Sequence, residues 1–349
     1  MWRTPPLSHL IALTDDVGVI QHAVLDVPNR STGYCTDDVA RAFMVAIRAA
    51  EHESSRPTAV ALARTYLSFL HDAQLPDGRF HNFMGYDRRW LDEAGSEDSF
   101  GRAVWALGFG LRFAPTPSWR TLCGELLERA LPNVDRLTHV RARVLASLGL
   151  VQASLAADRR MPVVERCLRA VGDDLRARWA SESADGWNWF EDTLTYDNAR
   201  LPEAAIRIGS VLGDPELVEI GLRSLDFYVS IVVEAGIFVP IGNQGWYRRG
   251  GPRARYAQQP LEAAALVDAA LAAHEANGQA QYLRLAEIGL EWYYGRNSRD
   301  TVLATGGGCF DGLEELGVNH NMGAESTLAY LASAYALATP GAGVLHIAR

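Results

Sequence analysis

Six times along this chain an Ala/Leu-rich apolar run opens behind a short lead of polar, acidic or aromatic residues, and nothing else limits the possible folds so strongly. The leads are Thr36-Asp37-Asp38, Glu97-Asp98-Ser99, His139-Val140-Arg141, Asp197-Asn198, Gln258-Gln259-Pro260 and Gly323-Ala324-Glu325. The runs behind them are apolar on most faces, which a helix tolerates only when neighbours bury it on several sides. Between consecutive leads lies a second kind of helix, amphipathic and charged on one face, expected over 58–73, 119–131, 162–179, 215–232 and 279–294. In the first of these Leu62, Tyr66, Phe69 and Leu70 recur at three- and four-residue steps, and in the fourth Leu217, Ile220, Leu222, Leu225 and Tyr228.

Inner and outer helices alternating in this way predict an all-α (α/α)6 toroid, with six inner helices, about six outer ones and short β-hairpins in the rim loops. The leads are about forty to sixty-five residues apart, longer than short solenoid repeats and long enough for substantial loops. Three loops stand out. Leu75 to Phe83 reads as a turn leading into a short strand, Asp185 to Phe190 carries the string DGWNWF, and Gly306-Gly307-Gly308 reads as a turn.

No Pro/Gly/Ser-rich linker or charge run divides the 349 residues, so one catalytic domain over 1–349 is expected. A formal charge of -9 with scattered basic residues excludes nucleic acid and anionic membrane as main partners. The opening MWRTPPLSHL lacks the cationic, apolar and small-residue parts of a secretory leader. Cys35, Cys123, Cys167 and Cys309 form no C-x-x-C pair, so a cytoplasmic protein with reduced thiols is the expectation. Phosphate-loop, dinucleotide, zincin and nucleophile-elbow motifs are missing. Cys309 and His320 alone make a poor zinc set, and no cofactor is expected.

Inner helices that all run the same way gather their N-termini at one rim. That rim should therefore collect Asp37, Asp38, Glu97, Asp98, Trp187, Trp189, Glu191, Asp192, Tyr196, Asp197, Asn198, Trp246, Tyr247, Gln258, Gln259, Asn319, His320, Asn321 and Glu325. Carboxylates, amides and aromatic rings in one bowl suit a sugar, whose C–H faces stack on rings while its hydroxyls bond the edge groups.

With that pattern the sequence resembles the six-hairpin glycosidase-like (α/α)6 barrels, a superfamily of glycoside hydrolases, sugar phosphorylases, unsaturated-glycuronyl hydrolases and sugar epimerases. The segment GGGCFDGLEELGVNHNMGAESTLAYL is similar to one in poorly characterised bacterial proteins encoded with, or fused to, glycosyltransferases. The resemblance implies a carbohydrate substrate and a functional association with a glycosyltransferase.

Glycoside hydrolysis needs one protonated carboxyl and one carboxylate, about 6.5–9.5 Å apart for inversion and about 5–5.5 Å for retention. Asp38, Asp98, Glu191, Asp192 and Glu325 are the catalytic candidates. Each has a plain structural alternative: Asp37 and Asp38 can cap a helix or pair with Arg41, and Glu97 and Asp98 can supply an acidic first turn with Arg102 at i+4. Of Glu191 and Asp192, the second is favoured as the acid because it lies nearer the helix start. Glu325 opens an apolar helix, where a carboxylate requires a partner or a role. The remaining rim residues are expected to bind substrate. Arg248, Arg249, Arg253 and Arg255 form a basic cluster able to hold a phosphate or an acidic sugar. Hydrolysis of an oligosaccharide or glycoside is the leading expectation. Epimerisation or isomerisation, which favours histidine bases, phosphorolysis, or a non-catalytic carbohydrate-binding role are the alternatives.

Overall fold

Helix boundaries follow the capping chemistry of the sequence. Ser96, Thr116 and Asp214 each accept the backbone N–H three residues on, and prolines occupy the first turns of the helices at 117, 162, 215 and 260. Gly213 and Gly278 end two helices in the left-handed conformation. The computed structural model describes residues 2–156 and 161–338. Its helices are α1 (Ser8–Leu13), α2 (Thr36–Ala49), α3 (Arg56–Ala73), α4 (Glu97–Phe113), α5 (Pro117–Val134) and α6 (Val140–Ala156), then α7 (Pro162–Glu182), α8 (Arg200–Leu212), α9 (Pro215–Val232), α10 (Pro260–Asn277), α11 (Ala280–Tyr293) and α12 (Ala324–Ala338).

The even-numbered helices form the inner ring. Each packs on the next, and α12 closes on α2. Outside them α3, α5, α7, α9 and α11 each pair with the inner helix before it in the chain, while the short α1 lies against α12 as the sixth outer element. This is the (α/α)6 toroid expected from the leads. The core runs through the whole ring: α10, for example, is buried from Pro260 to Ala273.

At the rim, short antiparallel pairs stitch neighbouring loops together. Tyr34–Cys35 pairs with Phe83–Met84, joining the loops that lead into α2 and α4. Thr193–Leu194 pairs with Tyr247–Arg248, joining those that lead into α8 and α10. A bridge between Gln258 and Leu313 ties in the loop before α12. The turn and strand expected over 75–83 are present, with the strand at Phe83–Met84. Gly306-Gly307 is the turn of the Ala304–Thr305 and Gly308–Cys309 hairpin. Among the described residues, no helix is long and apolar enough to cross a membrane, and all four cysteines are free and buried.

Candidate functional site

Arginines on the inner helices organise the rim. Arg41 of α2 holds Asp37 at 2.8 Å, Asp38 at 3.0 Å and, across the ring closure, Glu325 of α12 at 2.8 Å. Arg102 of α4 holds Asp37 at 2.7 Å and Asp197 at 2.8 Å. Arg200 of α8 reaches Asp197, Glu203 and Asp268, and Arg48 also meets Asp268. Beneath them the axis narrows to a cavity of about 50 Å³, lined by Arg41, Arg48, Arg102, Trp105, Arg200 and Leu261 among others. That space suits a few water molecules rather than a sugar ring.

Burial pushes Asp38 up to about 7, and the neighbouring Asp37 and Glu325 charges add to the rise against the opposing pull of Arg41. The buried Cys35 thiol donates to its Oδ2 at 3.2 Å. Asp197 is also buried, which alone would raise it, but Arg102 and Arg200 hold it below the usual carboxylate range. Its backbone sits at φ 51°, a left-handed conformation uncommon outside glycine. Glu262 secures that turn by accepting the N–H groups of Asp197 and Asn198, the Asn198 amide and the Tyr228 hydroxyl. Burial lifts Glu262 to about 7 as well.

A second cluster lies over α4, α6 and the loop before α8. Because Arg102 turns to Asp37 and Asp197, the i,i+4 pair with Arg102 that is the structural alternative for Asp98 does not form. Asp98 instead accepts the Tyr196 hydroxyl at 2.6 Å. Burial and that carboxylate raise the Tyr196 phenol above its ordinary range, keeping it protonated as a donor. Arg141, 7 % exposed, stacks on the Tyr196 ring at 4.9 Å, donates Nε to the Tyr196 carbonyl and pairs Nη1 with Glu191. Its Nη2 is buried without a partner. Trp246 leans over Tyr196, ring centroids 6.4 Å apart.

Several sequence expectations are corrected by these positions. Trp187 and Trp189 are buried in an aromatic core with Phe190, Phe227 and Tyr228, so neither offers a ring to a sugar. Asp192 is exposed and pairs with Arg248 at 3.2 Å on the loop surface, in a solvated setting that lacks the burial a general acid requires. Glu97 spends both oxygens on Thr138 and the His139 N–H, bracing α6 against α4. Gln258 is fully buried and bonds Trp292, Ser298 and the Arg255 carbonyl, and Asn198 is buried under Glu262.

Tyr247 packs at a tilt against Trp187, Asn321 ties Ala23 to Asp311, and Asn319 accepts the Asn321 N–H. His320 is exposed and edges onto Phe310, and Gln259 precedes α10 without a capping bond. The basic cluster is neutralised: Arg249 bonds Glu182, while Arg253 and Arg255 share Glu234. Asp37, Asp38, Asp98, Glu191, Tyr196, Trp246 and Glu325 remain at the mouth. Of the organising arginines, only Arg41 and Arg102 were read from sequence, as charge partners, although arginines inside four of the six inner helices were themselves a signal.

Six inner helices, five full outer helices with α1 as the sixth, and a charged mouth at the inner N-termini define an (α/α)6 toroid. The chain is similar to cellobiose 2-epimerase from Bacillus thermoamylovorans B4167, with 11% identity over 95% of this chain and 96% of that one and a TM-score of 0.72. It is similar to a D-mannose isomerase at 12% identity over 95% and 94% of the two chains, TM-score 0.70. An alpha-mannanase from Bacteroides thetaiotaomicron matches at 9% identity over 95% and 93%, TM-score 0.63. No protein-family model matches the chain, and no curated protein matches it.

Proposed function

We propose that this chain is a carbohydrate-active enzyme that rearranges a reducing sugar, as an epimerase or isomerase, by moving a proton on the open-chain aldose. The observation that carries this reading is the end-to-end fold likeness to a sugar epimerase and a sugar isomerase, with a lower TM-score for the mannanase. It displaces the hydrolase expected from sequence as the leading reading.

Proton abstraction beside a carbonyl needs a base at the carbon and donors at the oxygen. The two histidines expected near the rim are not our choice of base: His81 stacks on Trp90 and bonds Asp92, and His320 is an exposed loop residue. Asp98 fits the base because no arginine neutralises it and the Tyr196 hydroxyl orients it. Arg141, through the Nη2 that has no partner, is the donor for the developing oxyanion.

The test is incubation of the protein with reducing sugars in D2O. Conversion of one sugar into its epimer or ketose, with deuterium entering at the carbon next to the carbonyl, is the expected result. Asp98→Asn should lower the rate about 10²–10⁴-fold, the usual contribution of general acid–base catalysis. Hydrolysis remains the second reading because Arg41 bridges Asp38, a carboxyl pushed up to about 7, to Glu325, a partly exposed carboxylate. Release of a free sugar from an oligosaccharide, without deuterium exchange, would replace the first reading by this one.

A further inference from the structure

We infer that the mouth selects sugars by charge, binding a protonated amino sugar more tightly than its neutral parent and rejecting the corresponding phosphate and uronic acid. This rests on the carbohydrate reading above and names the substrate class of the same site.

Three observations converge on it. Arg41, Arg48, Arg102, Arg200 and Arg207 are linked by ion pairs to Asp37, Asp38, Asp197, Glu203, Asp268, Glu275 and Glu325, five cations against seven carboxyl groups. Even with Asp38 pushed up to about 7 and so partly protonated near neutrality, this network, which runs from the mouth down to Arg207 and Glu275, is short of positive charge before any ligand arrives.

The arginines that could hold an acidic substituent are already committed. Arg41 is shared by three carboxylates, Arg102 by two, and the loop cations by Asp192, Glu182 and Glu234. The Nη2 of Arg141 is a spare guanidinium donor beside the Tyr196 cluster, whereas the unpartnered Nε atoms of Arg200 and Arg253 belong to side chains already paired with carboxylates. Glu191 sits 2.9 Å from the adjacent nitrogen, and Asp98 lies at the far end of the Tyr196 ring that Arg141 stacks on. A neutral hydroxyl satisfies that donor, whereas a phosphate there would meet two carboxylates.

The free acceptors point the same way. Asp98 uses Oδ2 for Tyr196 and Glu325 uses Oε2 for Arg41, while the other oxygen of each has no hydrogen bond among the described residues. The Glu325 side chain is 36% exposed and the Asp37 side chain 24%, so this negative potential reaches solvent at the mouth. Carboxylate oxygens without partners accept from O–H and from N⁺–H, and the second is the stronger bond. One uncompensated charge about 10 Å away alters affinity on the order of tenfold at the effective dielectric of a protein surface.

Calorimetric binding of the intact protein to glucose and mannose, each beside its 2-amino-2-deoxy, 6-phosphate and uronic acid derivative, tests the inference at a pH where the amine is protonated. The expected order is amino sugar, parent, then the two acids, with the phosphate at least about tenfold weaker than the parent. The spread should narrow in high salt and in Asp98→Asn, which removes a charge without breaking an ion pair. A phosphate or uronate that binds as well as the parent overturns the inference while leaving the sugar reading standing. Sugars that bind in the expected order without deuterium exchange sink the epimerase reading and leave charge selection intact. If no sugar binds, both fall.

Discussion

Arg102 determines what its own helix neighbour can do. By reaching across to Asp37 and Asp197 it leaves Asp98 with a phenol as partner rather than a cation, and an unneutralised carboxylate is the better base. Asp38 shows the opposite case, a carboxyl enclosed by Cys35, Arg41 and two like charges and pushed from 3.8 to about 7. Its sign is unfavourable to folding. Below the unfolded value both states hold the proton, between 3.8 and about 7 the unfolded chain ionises first, and stability falls as pH rises through that window. Glu262 pulls in the same direction over the same range. Denaturant midpoints measured from pH 4 to pH 8 should decline, and Asp38→Asn should flatten part of the decline; an unchanged profile would remove Asp38 from the linkage. At this scale the site was only half legible. Helix order put Asp37, Asp98 and Glu325 at one rim, but side-chain direction in irregular loops sent Trp187 and Trp189 inward, and no period in the sequence encodes that.

Elements were far more legible, because apolar periodicity and caps act locally. The helix over Pro215–Val232 was expected within those same limits, and most others differ by a turn or less. Contacts between inner helices were not foreseen in detail. A Cβ on Gly149 of α6 would lie 2.3 Å from the Val104 carbonyl of α4, and one on Gly108 would lie 2.0 Å from the Gly149 carbonyl. The two helices therefore touch backbone to backbone, and the glycines set how closely the ring closes. Alanine in a helix usually gains about 0.5–1 kcal/mol over glycine, yet overpacking against rigid backbone costs about 1–3 kcal/mol. Gly149→Ala should accordingly lower the thermal midpoint. Gly124→Ala in α5, whose nearest contact is a side-chain methyl at 3.4 Å, should hold or raise it. Equal responses would show that α4 and α6 can separate without penalty.

Across the whole molecule, the last helix must find the first, and two guanidinium groups of α2 stand at that seam, Arg48 on the Ala332 carbonyl and Arg41 on the Glu325 carboxylate. Arg41 joins Glu325 of α12 to Asp37 and Asp38 of α2, while the Tyr335 hydroxyl bonds the Pro5 carbonyl and Ser8 bonds the Gly306 carbonyl. The toroid was legible from six repeated leads. The charge that fastens its ends together was not, since residues 284 positions apart announce nothing to each other in sequence. Removing Arg41 leaves Asp38 buried without a cation, and breaking one side of a buried ion pair costs about 3–5 kcal/mol. Glu325 is partly hydrated and Asp37 keeps Arg102, so Arg41→Met should fall near the lower end of that range. Because the orphaned charge on Asp38 is the cause, Arg41→Met with Asp38→Asn should recover part of the loss. Arg41→Met with Glu325→Gln should recover less. Denaturant midpoints of the three variants at pH 8 decide the matter: no loss in the single variant, or equal recovery in both doubles, would mean that apolar packing of α12 on α2 closes the ring without the arginine.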